Sequence, residues 1–176
     1  RPSDSREPRK IAWLQCVGSR DLNACDNGYC SSVCCMYAVK ESIIAKEHDD
    51  EVQATVFYME LRAFGKDFDK YIDKAKNESG AIYRRAMVSG VVEDPETKNL
   101  LLTVENTLSG KLERHEVDMV VLAIGLVPRK DSALVRQMLT LSPTSDGFVM
   151  EAHPKLKPVD APTKGVYFAG CVEAPK

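Results

Sequence analysis

The sequence predicts an α/β fold: a Rossmann-like parallel sheet with helices on both faces, followed by an antiparallel three-stranded meander. Three observations predict it. Through the first half, short β-branched or apolar runs alternate with longer stretches of helical periodicity. Past residue 85 the pattern becomes three strand-like runs joined by turn signals. The unbroken apolar run MVVLAI at residues 119–124 then has the character of a central parallel strand.

Residues 10–15 (KIAWLQ) read as a short buried strand. Val33, Met36, Tyr37, Val39, Lys40, Ile43 and Ile44 follow helical spacing, which predicts a helix over about residues 29–46 opened by Asn27 or Gly28. QATVFYM at 53–59 is a second strand, and KDFDKYIDKAKN at 66–77 a second helix with Phe68, Tyr71, Ile72 and Ala75 on one face. A third strand at 81–83 follows the Ser79-Gly80 stop. This β-α-β-α-β order implies right-handed parallel crossovers. Residues 86–92, 100–105 and 112–117 form the meander, with turns at Asp94-Pro95 and Ser109-Gly110. A short helix is expected at 132–139. The Pro-rich remainder leaves short strands at 148–150 and 166–169. Residues 1–9 read as a flexible lead-in, 10–140 as the Rossmann-like domain, and 141–176 as a separate C-terminal segment.

Composition bounds the function. Apolar residues are 44% and charged residues 28% of the 176, an ordinary globular balance. A formal net charge of −2 gives no basic field for nucleic acid or an anionic membrane. No apolar run approaches the roughly 20 residues of a membrane-spanning helix. The opening RPSDSREPRK has no apolar core and is no signal peptide. Both ends read as cut from something longer.

Of six cysteines, five crowd residues 16–35 and one, Cys171, stands alone. Crowding of this kind, without a secretion signal, argues for a reduced, cytoplasmic setting and a metal or redox role rather than a disulfide scaffold. The cluster lies where the first strand hands over to the first helix. In dinucleotide-binding domains that handover is a GxGxxG turn holding pyrophosphate, and here no such motif exists. Cys30 and Cys34, four apart, are expected on one helix face, with Cys35 rotated by about 100° and Cys16 closing the site from the strand end. Four thiolates suit a cubane cluster or zinc. The positive helix end, with Arg20 nearby, favours a negatively charged cluster as it would a phosphate. Zinc is the rival, although adjacent Cys34-Cys35 fits paired CxxC knuckles poorly. A redox disulfide is a third reading, without a CxxC to support it. Cys25 is an alternative fourth ligand or a bystander.

CVGSRD, YCSSVCCMYAVK, VFYMELRAFGKDF and GVYFAGCVEAPK strongly resemble the A subunit of heterodisulfide reductase. They also resemble the related A subunit of the quinone-interacting membrane-bound oxidoreductase complex. The resemblance spans about residues 10–176. It implies a thioredoxin-reductase-like core that binds FAD, with a 4Fe–4S cluster held by Cys16, Cys30, Cys34 and Cys35. It further implies an oxidoreductase complex with other iron–sulfur subunits as partners, a membrane being met only through them. Residues 141–176 would then belong to the parent's FAD domain, with Gly125, Gly170, Cys171, Pro175 and Lys176 as flavin contacts in the parent only. The plainer reading is that both glycines allow close packing at strand ends. The flavin's own GxGxxG turn is missing, so this stretch alone is expected to bind no FAD and to be inactive.

Other candidates carry less. Glu60 ends the second strand, where an acidic residue grips ribose in NAD-binding domains, but it lies 42 residues beyond Gly18 instead of about 20. Arg62, Phe64, Gly65 and Lys66 form a helix-entry loop with possible cofactor contacts. His48, His115 and His153 show no ligand spacing.

Overall fold

The computed structural model describes residues 1–175; Lys176, one of the flavin-contact candidates, lies outside the described residues. Contacts divide the chain into two compact units. The first comprises Arg1–Val17 with Ser32–Ile124, the second Gly18–Ser31 with the chain from Gly125 onward.

The first unit is the α/β part. Its strands are β1 (Lys10–Val17), β2 (Gln53–Tyr58), β3 (Ile82–Glu93), β4 (Leu100–Asn106), β5 (Lys111–Val117) and β6 (Met119–Ile124). They form one six-stranded sheet in the order β5-β4-β3-β2-β1-β6. β1 pairs in parallel with both β2 and β6, and β2 in parallel with β3, whereas β3-β4 and β4-β5 are antiparallel. The expected third strand and first meander strand are a single twelve-residue strand, because Arg84-Arg85 offers no turn between them. Its first residues, Thr55↔Ile82 to Tyr58↔Arg85, pair with β2, and from Ala86 onward it pairs with β4.

Helix α1 (Cys34–His48) and helix α2 (Phe68–Glu78) connect the parallel strands. α1 begins five residues later than its periodicity predicts. Ser32 stands at φ 61°, a left-handed conformation no α-helix continues through, and Asn27 is held in a bridge to Asp21. Cys30 therefore lies outside the helix, and the expected shared helix face for Cys30 and Cys34 is corrected.

Strand alternation separates two cores. Ile11, Trp13, Ala54 and Val56 face α1 with Cys34 and Ala38; Ala12, Leu14 and Phe57 face the other way. Ile72 and Ala75 seat α2 on α1 at Val39, so both helices share one side. The second core is closed by Leu102 and Val104 of β4 and Val117 of β5, where a helix had been expected. A bulge between Val88 and Gly90 of β3 adds the local twist that lets the meander curl over. Residues 1–4 are tied to this meander: the Arg1 guanidinium donates to Asp4, to the Asn99 side chain at 2.6 Å and to the Thr97 carbonyl at 2.9 Å.

The second unit is mostly loops, with one helix, α3 (Ser132–Leu139), and a turn of 3₁₀ helix at Gly170–Val172. The strands expected at 148–150 and 166–169 are reduced to isolated bridges, Pro143↔Val149 and Asp160↔Tyr167. Pro143, Pro154, Pro158 and Pro162 supply no N–H for a continuous ladder. Phe148, Val149 and Ala161 are buried within this unit, and Tyr29 stands edge-on to Phe148 at 5.7 Å.

Candidate metal or cluster centre

The site grows from the carboxyl end of β1. Pairing with β6 slips between Leu14 and Val17, and Cys16 sits within that slip at φ 60°. A non-glycine residue there is strained by roughly 1 kcal/mol or more, and the strain re-aims the side chain that an even pleat would have sent elsewhere. α1 supplies the opposite wall. Its first two residues, Cys34 and Cys35, are 1% and 3% exposed, and its first turn carries neither a side-chain cap nor an acidic residue. Its leading N–H groups are thus left for whatever anion lies there.

Three sulfurs meet. The Cys34 sulfur takes hydrogen bonds from the thiols of Cys16 and Cys35, and backbone N–H groups of Cys16 and Cys35 also point at it. These donors pull the Cys34 thiol well below its ordinary pKa in spite of burial, so Cys34 is the thiolate of the group. Cys35, donating to that thiolate and buried, is driven upward. Its sulfur lies 3.8 Å from the Glu60 carbonyl and is met by the Arg62 backbone N–H, which brings the loop after β2 into the site. The Glu60 carboxylate is itself paired with the Arg62 guanidinium. Tyr37, one turn along α1, gives its hydroxyl proton to the Ile124 carbonyl at 2.9 Å; burial, then the nearby Cys34 charge, push it up to about 12.

Of the expected ligands, then, Cys16, Cys34 and Cys35 are together, while Cys25, Cys30 and Cys171 belong to the second unit. There Cys25 is engaged with Asp21, its sulfur 3.6 Å from both the carbonyl and a carboxylate oxygen. Asp21 also takes the Asn23 and Ala24 N–H groups, which holds its carboxyl below the usual range. Among the described residues, no three His, Cys, Asp or Glu side chains are grouped as ligands for a single metal ion. What fits a cubane cluster is the donor chemistry: soft sulfurs, a helix N-terminus without a competing carboxylate, and N–H groups aimed at sulfur.

The two glycines differ. A Cβ on Gly125 would lie 2.8 Å from the Gly18 carbonyl and 3.0 Å from Ser31 Oγ, so packing alone requires a glycine there. Gly170 stands at φ 67° with nothing within 4 Å of a Cβ. Cys171 beside it is exposed, and Pro175 is half-buried. Motif and spacing passed over Gln15, whose carboxamide nitrogen and oxygen are both buried without a hydrogen-bond partner. The signal was present: it is the polar residue closing the apolar run KIAWL. Nothing in the sequence marked the backbone contributions of Glu60 and Arg62.

No family model matches the sequence. Methanopyrus kandleri has a second iron–sulfur A subunit of CoB–CoM heterodisulfide reductase to which the chain is 46% identical over 176 residues, covering all of this chain and 27% of that protein. It is 42% identical over 176 residues to the corresponding A subunit of Methanocaldococcus jannaschii, again all of this chain and 27% of the relative. The A subunit of the H(2):CoB-CoM heterodisulfide,ferredoxin reductase of Methanothermobacter marburgensis is 44% identical over 178 residues, with all of this chain and 26% of that protein covered. The chain thus spans about a quarter of the curated relatives it matches. Among solved structures it is similar to thioredoxin reductase from T. acidophilum, with a TM-score of 0.54 and 17% identity over 95% of this chain and 45% of the other. Lactococcus lactis thioredoxin reductase gives a TM-score of 0.56 at 14% identity, over 96% and 45% of the two chains. At these identities the likeness establishes the fold.

Proposed function

The chain is homologous along its whole length to the A subunit of CoB–CoM heterodisulfide reductase, and from that premise we propose that it is an electron-transfer stretch of such a protein. In this reading Cys16, Cys30, Cys34 and Cys35 hold a 4Fe–4S cluster, with Cys25 outside the ligand set. The observation that carries the proposal is the meeting of the Cys16, Cys34 and Cys35 sulfurs at the uncapped start of α1. Such a cluster supplies one-electron transfer between a flavin and further iron–sulfur centres. The chain's own residues bind and tune: Cys34 is held as thiolate by its N–H donors, Cys16 is aimed by the β1 slip, and burial excludes water.

Residues 10–140 are then the cluster-binding domain, and 141–176 contribute to the parent's FAD domain through Gly170, Cys171, Pro175 and Lys176, with Gly125 at its edge. The reading places the parent in the cytoplasm, among other iron–sulfur subunits of a redox complex. No helix in the described residues is long and apolar enough to cross a membrane.

The test is metal and sulfide analysis of this chain after anaerobic reconstitution. Iron and acid-labile sulfide in equal amounts, lost in Cys34→Ser and Cys16→Ser, are expected. Stoichiometric zinc with no visible absorption would replace the redox reading by a structural metal module. Neither metal, with all thiols still reactive, would sink both.

A further inference from the structure

We infer that the Gln15 carboxamide is a hydrogen-bond donor to the sulfur centre around Cys34, and thereby a positioning residue that sets its electron affinity. The inference rests on the cluster reading above and goes beyond the cysteine ligands themselves.

The placement follows from β1. Ile11 and Trp13 enter the core that contains Cys34, whereas Ala12 and Leu14 enter the opposite one. Gln15 follows directly, inside the pairing slip between Leu14 and Val17 and immediately before Cys16. It is also one step nearer the strand's carboxyl end, where the Cys16 N–H meets the Cys34 sulfur. Its peptide carbonyl carbon is bonded to that same Cys16 nitrogen, so side chain and donor amide leave adjacent positions of one backbone segment.

The chemistry follows from the orphaned amide. Both polar atoms of the Gln15 side chain are buried and unpartnered within the protein. A buried amide left unpaired costs stability, and an apolar residue would complete KIAWL without that cost. The amide is explained if its N–H groups face an electron-rich acceptor that the protein atoms do not include. Sulfur carrying negative charge is such an acceptor. Backbone N–H groups already converge on it from Cys16 and Cys35, and hydrogen bonds to cluster sulfurs raise the reduction potential by stabilising the added electron. Gln15 supplies the side-chain member of that donor set.

The experiment compares the reconstituted chain with Gln15→Met, which keeps volume and removes the amide, and with Gln15→Glu, which replaces a donor by an acceptor. Iron and sulfide are measured first, then midpoint potential by EPR-monitored redox titration. Gln15→Met should retain its iron while the reduction equilibrium moves about tenfold toward the oxidised form, ~59 mV for a one-electron couple. Gln15→Glu should move it further the same way. An unchanged potential in iron-replete Gln15→Met overturns the inference. If that variant holds no iron, wild-type chain labelled with ¹⁵N in the glutamine side-chain amide decides. Hyperfine coupling of that nitrogen to the reduced cluster supports the role, and its absence overturns it. Failure of the cluster reading itself looks different, because the wild type then binds no iron at all.

Discussion

Replacing Gly125 with alanine tests whether the turn after β6 is held by close approach of two chain segments. The backbone at Gly125 is not in the left-handed region, so alanine is conformationally acceptable there. On that ground alone the substitution would stabilise by about 0.4–1 kcal/mol, by restricting the unfolded chain. The new methyl, however, would meet the Gly18 carbonyl oxygen at 2.8 Å, Ser19 Cβ at 3.0 Å and Ser31 Oγ at 3.0 Å. The first two are backbone or fixed to it and cannot rotate away. The third is committed: the Leu126 N–H donates to it at 2.9 Å. Overpacking of this kind costs about 1–3 kcal/mol, and displacing the serine forfeits a further ~1 kcal/mol hydrogen bond. The balance is a net loss of about 2 kcal/mol, or roughly 4–8 °C in melting temperature for a chain of this size. Gly90 serves as the control. It has an ordinary backbone conformation and nothing within 4 Å of a Cβ, so Gly90→Ala should be neutral or slightly stabilising. Thermal unfolding followed by far-UV circular dichroism measures both. A Gly125→Ala melt at or above that of the unmodified chain would refute the reasoning.

Ser31→Ala should cost about 1–3 kcal/mol in denaturant unfolding by leaving the Leu126 N–H unpaired, and should combine non-additively with Gly125→Ala because both act on one hydroxyl. Leu102→Ala, at a fully buried residue of the second core, should cost about 2–5 kcal/mol; a loss below 1 would show that the meander does not seal that face. Hydrogen bonding from Arg1 holds the Asp4 carboxyl well below its usual range, so its contribution is present above about pH 4 and disappears as pH falls through the lowered value. Stability curves of wild type and Asp4→Asn should therefore converge in strong acid and separate above pH 4; parallel curves throughout would contradict the pairing. The sole tryptophan, Trp13, is 3% exposed and shares a core with Cys34, so its emission should be blue-shifted and should fall as iron is loaded. Unchanged emission at full iron content would place the metal elsewhere.

Much of the architecture was legible because hydrophobic period is a local signal. Residues 119–124 and 132–139 fall where their patterns put them, and the switch from parallel units to meander shows in the turns. Two features escaped because they are not periodic. Nothing in Tyr83-Arg84-Arg85-Ala86 states whether one strand or two pass through, since the parallel partner β2 and the antiparallel partner β4 are both remote in sequence. Which layer covers the far side of β1 is likewise a tertiary matter: Ala12 and Leu14 require an apolar cover, and a meander satisfies that as well as a helix.

The cysteines show the same limit more sharply. Crowding marked them as candidate ligands, but helical spacing gave the wrong reason for the convergence of Cys16, Cys34 and Cys35. Cys30 is cut off from α1 by the left-handed Ser32, and no four-residue helical step relates it to Cys34. What gathers the Cys16, Cys34 and Cys35 sulfurs is a pairing slip at the end of β1, a helix that begins at the second cysteine motif, and a loop whose backbone reaches Cys35. Each is an irregularity, and each has an energetic cost that an ordinary strand-to-helix handover would avoid. A fold retains such costs where function offsets them, so the strain at Cys16 and the buried, unpaired amide at Gln15 point to the same place from independent directions. Relaxing the slip tests this without touching a ligand. Val17→Gly, beside Cys16 and half-buried at the edge of the second core, should loosen the β1–β6 register at the residue that re-enters pairing with Ile124. It should then reduce iron retention more than it reduces global stability, whereas equal losses in both would reduce the slip to a packing accident.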